Sequence, residues 1–106
     1  MAKYLIHAAY TAEGLRGLQK DKASGRREAI AKAMEAVGGK LDALYFSLGE
    51  DDVLVIVDCP DIVSIGAVAI AVSATGLVRT RTTALMTVEE VDRALAKSPA
   101  YRPPGK

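Results

Sequence analysis

Apolar and polar positions along this chain switch between a period of two and a period near 3.6, and the switches mark out its elements. Lys3–Tyr10 alternates imperfectly. Tyr4, Ile6, Ala8 and Tyr10 fall on one side and Leu5, His7 and Ala9 on the other, both largely apolar, as in a strand covered on both faces. Thr11 and Glu13 offer an N-cap and a first-turn acid to a short helix carrying Leu15 and Leu18, weakened by Gly14, Gly17 and the polar stretch Lys20–Arg27. Ser24 is the expected cap of a second helical segment, in which Ile30, Ala33, Met34 and Val37 recur at helical spacing until Gly38-Gly39 stops it. Lys40–Leu48 reads as a strand with Leu41, Ala43 and Tyr45 on one face and Leu44, Phe46 and Leu48 on the other. The polar tetrad Gly49–Asp52 turns the chain into Val53–Cys59, its most β-prone run. Asp61 caps a helix over Ile62–Thr75, closed by Gly76; its length and end signals outweigh its β-branched content. Leu77–Met86 alternates as a fourth strand. Thr87 and Glu90 then form a capping-box pattern that opens a last helix, Val88–Lys97.

The order β-α-β-β-α-β-α is two βαβ-type halves, which predicts an α+β, ferredoxin-like split βαβ domain with one added helix over residues 1–97. Residues 98–106, rich in proline, form a frayed tail. Such a sheet, ordered 4-1-3-2, carries both helices on one face, yet the first three strands are apolar on both. A second copy packed sheet to sheet is the simplest cover, so a homodimer in the manner of a dimeric α+β barrel is expected. The helix over Ile62–Thr75, thin with Gly66, Ala67, Ala69, Ala71 and Ala74, can lie close against its own sheet.

Composition narrows the function classes. The 106 residues suit one domain, and 14 basic against 13 acidic side chains leave no basic patch, which argues against nucleic acid as a partner. The single cysteine, Cys59, excludes an intrachain disulfide and suits a reducing compartment. No apolar leader is visible, and Ile62–Val72 falls short of the ~20 residues of a membrane-spanning helix, so a cytoplasmic protein with no membrane partner is expected.

Tyr10-Thr11 leading through Gly14, Arg27 ahead of a helix, Gly38-Gly39-Lys40-Leu41, Tyr45, Leu48-Gly49, Asp52-Val53, Pro60-Asp61 and Gly76 together resemble the GYD-domain family, small bacterial proteins of the dimeric α+β barrel type. The likeness covers about the first 85 residues. In the Gly-x-Tyr-Asp signature that names the family, Gly49 and Asp52 match, while Asp51 stands at the tyrosine position. The wider fold relatives implied by the resemblance run from cofactor-free oxygenases and haem-handling enzymes to isomerases and plain binders. Fold alone does not choose among them.

Individual residues carry the remaining chemistry. His7, the lone histidine, lies mid-strand, where an imidazole facing away from the helices can act as a base between sheets. Arg79 and Arg81 share a strand face and can grip an anion, or simply blunt an edge strand. Among Tyr4, Tyr10 and Tyr45, Tyr45 is taken as a further ligand contact; strand tyrosines otherwise pack with the hydroxyl at the rim. Asp58, among apolar neighbours, either approaches His7 or helps cap the helix that follows. Glu50-Asp51-Asp52 reads as a solvated turn rather than a cation site, with Asp52 bonding the turn backbone and Gly49 supplying a permissive dihedral. Cys59 reads as a small buried hydrophobe. No Walker loop, dinucleotide fingerprint, zinc spacing or nucleophile elbow occurs, and neither cofactor nor metal is expected. The functional expectation is a small-molecule-binding homodimer with a pocket between paired sheets, lined by His7, Tyr45, Arg79 and Arg81. The alternatives are a cofactor-free oxygenase or isomerase using His7 as base, and a structural or regulatory oligomer with a filled core.

Overall fold

A computed structural model describes residues 1–106. Strand β1 (Ala2–Tyr10) leads into α1 (Ala12–Ala36), followed by β2 (Lys40–Phe46), β3 (Val53–Cys59), α2 (Ile62–Ser73), β4 (Val78–Leu85) and α3 (Val88–Lys97). The four strands form one antiparallel sheet ordered β2-β3-β1-β4, the ferredoxin-like arrangement the sequence predicts.

Strict alternation in β1 and β3 builds the core. Tyr4 lies opposite Val57, Ile6 opposite Val55 and Ala8 opposite Val53, and all six are buried beneath the helices. Met34 of α1, Ile65 of α2 and Cys59 complete that layer. Burial pushes the Cys59 thiol above its ordinary pKa, as expected of a small core hydrophobe rather than a reactive group. Tyr4 and Tyr10 belong to this helix-covered side, so neither phenol joins Tyr45.

The caps follow the sequence. Thr11 accepts from the Gly14 amide at 3.1 Å, and Asp61 accepts from the Ser64 amide at 2.8 Å. That second bond holds the Asp61 carboxyl below its usual pKa. It therefore stabilises the start of α2 above the ordinary carboxylate range, and the stabilisation fades as pH falls through the lowered value. Thr87 and Glu90 make the full capping box of α3, none of whose residues is buried. Gly38, with φ of 76°, supplies the left-handed residue that ends α1. Next to it, a side chain on Gly39 would meet the Asp58 carbonyl and the Met34 methyl, which lets the chain enter β2 tight against α1.

Three local expectations change. α1 does consist of two helical segments, but the break between them falls at Lys22, two residues before Ser24, and Ser24 caps nothing. In β2, a bulge between Leu41 and Ala43 inserts Asp42, so Leu41 turns to the helix side with Leu44 and Phe46 while Ala43 and Tyr45 keep the open side. Gly49 does not use the left-handed region; its amide donates to the Ser47 hydroxyl at 3.1 Å.

Lys22 has φ of 68° and ψ of 165°, a region that is otherwise nearly glycine's alone. Glycine in a helix normally destabilises it by ~1 kcal/mol relative to alanine. At this position the sign reverses: Lys22→Gly is expected to stabilise the protein by about 1 kcal/mol, read as a rise in the urea midpoint at unchanged slope.

Candidate functional site

The face of the sheet turned away from α1 and α2 carries His7, Tyr45, Arg79 and Arg81, the four residues expected to line a pocket. Cross-strand register aligns Tyr45, Leu54, His7 and Arg81 in one row, from β2 through β3 and β1 to β4. The next row holds Ala43, Ile56, Leu5 and Thr83. Its apolar members make the middle of this face a hydrophobic surface broken by a few polar groups.

Arg79 lies on the same face opposite Ala9, but the two arginines do not act as a pair. Arg81 is committed to Asp51, donating from Nη2 to Oδ2 at 2.7 Å. The same Asp51 oxygen stands 3.1 Å from Nδ1 of His7. The carboxylate is well covered, with its side chain only 17% exposed, whereas Arg81 is 66% exposed and open to further partners. A carboxylate can only accept, so His7 donates from Nδ1 and keeps its Nε2 lone pair free whenever the ring is neutral.

The turn between β2 and β3 is what brings Asp51 over the row. Asp52 continues both ladders: its carbonyl accepts from the Ser47 amide at 2.8 Å, and its amide donates to the Ala8 carbonyl at 2.9 Å. Its carboxylate reaches past the turn to accept from the Tyr10 amide at 2.7 Å, so it clamps the end of β1 rather than the turn's own backbone. The residue before Asp52 is thereby held above the open face. Asp51 is the site residue that the sequence reading did not choose. Its signal was present in the signature, as the carboxylate standing where the family resemblance places a phenol.

Asp58 does not approach His7. It lies opposite Lys3, four residues further from the turn, and pairs with its Nζ at 2.9 Å, while Asp42 on the bulge takes the same ammonium at 3.0 Å. These two hydrogen bonds, that to Asp58 foremost, raise the pKa of Lys3. The open face thus has a polar cluster at each end with Leu5, Leu54 and Ile56 between. Tyr45 is 70% exposed and projects from the β2 edge of its row without joining the His7–Asp51–Arg81 cluster. No group of three or more histidine, cysteine or acidic side chains converges as a metal site. No helix is long and apolar enough to cross a membrane.

The fold and this face together define a small α+β domain of ferredoxin-like topology with one exposed sheet surface. The profile of the GYD domain family matches residues 4–95, and the chain belongs to that family. Comparison with curated proteins and with solved structures returned no match.

Because Asp52 positions the turn, its loss has a defined cost. Asp52→Ala strands the part-buried Tyr10 amide and should destabilise the fold by roughly 1–3 kcal/mol in denaturant titration. A neutral result would mean that the turn is held by its backbone bonds alone.

Proposed function

We propose that this domain pairs with a second copy through the open sheet face and binds a small molecule in the space between the two sheets. The observation that carries this reading is the His7–Asp51–Arg81 cluster, set in an apolar surface that neither helix covers. Apolar walls with a few convergent polar groups are the usual make-up of a ligand pocket. Leu5, Leu54 and Ile56 supply the walls and the driving force for pairing. Arg81, with its side chain largely exposed, offers donors to an acidic or carbonyl-bearing ligand, with Arg79 on the same strand face and Tyr45 at the far edge of the row.

Native mass spectrometry of the gently purified protein tests both halves of the proposal. The expected spectrum is a dimer carrying extra mass, and Ile56→Lys, which sets a charge in the middle of the face, should shift it to monomer. A wild-type chain that is monomeric at micromolar concentration overturns the pairing. A bare dimer removes the ligand and leaves a purely structural assembly.

A second reading, catalysis without a cofactor, draws on the same geometry. Asp51 fixes the imidazole through Nδ1 and leaves Nε2 as a general base, the chemistry asked of a proton abstraction in an oxygenase or isomerase reaction. Once a ligand is identified by its mass, His7→Ala should abolish its turnover while the circular dichroism spectrum is preserved. An unchanged rate excludes His7 as base.

A further inference from the structure

On the helix-covered side, away from the open face, α1 and α2 do not close against each other. A cleft of about 300 Å³ separates the first part of α1 from the C-terminal part of α2. Gly17 and Leu18 face Ala71 and Val72 across it, with Tyr10 and Val78 beneath. That volume is at the lower end of the range of small-molecule sites.

The lining is apolar but for a few groups, and the cation among them is Arg26. Its side chain is mostly buried, its Nε is fully enclosed without a hydrogen-bond partner, and its closest carboxylate, Asp21 Oδ2, stands 3.7 Å from Nη1, beyond hydrogen-bonding distance. Asp21 offsets the charge of this guanidinium at a distance, but it leaves the hydrogen-bond donors of Arg26 unengaged and available to a ligand acid. The backbone adds an independent sign. Lys22, in a conformation usually reserved for glycine, directly follows Asp21 in the chain, so the strained bend of α1 adjoins the lining of the cleft. Strain of this kind collects at ligand clamps.

We infer that this cleft is a second binding site, for a small apolar molecule ending in a carboxylate. The acid takes hydrogen bonds from the Nη groups of Arg26, and the apolar body lies between Leu18 and Val72. Asp21 competes with the ligand for the guanidinium and sets how tightly the acid is held. The site is complete within one chain and is independent of pairing through the sheet.

Octanoate serves as the probe, titrated calorimetrically into the full chain with octanol as its uncharged counterpart. Octanoate should bind the wild type, and octanol at least tenfold more weakly. Arg26→Met should cost octanoate at least tenfold, and Asp21→Asn, which frees the guanidinium, should tighten it several-fold. In ¹⁵N spectra of the wild type the shifts should fall on Gly17, Leu18, Ala71 and Val72. Absent binding, equal affinity for octanol, or weakening by Asp21→Asn overturns the inference; the last two stand even where Arg26→Met fails to fold. Shifts on Leu5, His7 and Leu54 instead would also overturn it, while supporting a ligand on the open face.

Discussion

Everything in this domain hangs on one-sided coverage of a four-stranded antiparallel sheet. Period two in β1 and β3 sends Tyr4, Ile6, Ala8, Val53, Val55 and Val57 to the helix side, where they meet Met34 and Ile65. The same geometry leaves Leu5, His7, Leu54 and Ile56 on the other side, half-buried and away from that core, with Asp51 of the turn reaching over His7. Core and candidate site are therefore two faces of the same strands, one residue out of phase. A one-residue slip of register would exchange them, so the pairing that fixes stability also fixes where the polar cluster sits.

The turn between β2 and β3 links these two roles. Asp52 belongs to the ladder and to the end of β1, and its neighbour Asp51 is thereby suspended over His7 and Arg81. Adjacent carboxylates thus have separate duties, one structural and one facing the open surface. In a family whose signature places tyrosine before that aspartate, an acid at this position replaces a neutral phenol with a charge that both His7 and Arg81 contact.

Elements were legible in the sequence wherever local chemistry decides them. Caps at Thr11, Asp61 and Thr87, the glycine stop at Gly38 and the alternation of β1 and β3 all act within a few residues of themselves. What escaped was set at long range or by a single inserted residue. The bulge at Asp42 reverses Leu41 without any signal in the alternation before it. Whether His7 meets Asp51 or Asp58 depends on the offset of β1 against β3, which no local pattern encodes; the register gives Asp58 to Lys3. The bend at Lys22 lies in a polar stretch whose weak helical signal located a break only to within two residues.

The two margins of the sheet bear on how it can associate. Along β4, Arg79 and Arg81 alternate with Thr80 and Thr82, and along β2 the bulge at Asp42 and the charge of Lys40 interrupt the strand. Charges and bulges of this kind frustrate the addition of a further strand from another molecule. In-plane growth, the route by which exposed sheets extend without limit into fibrils, is thus obstructed on both sides. Association through the broad face has no such open end, because a two-fold stack uses up the surface that formed it.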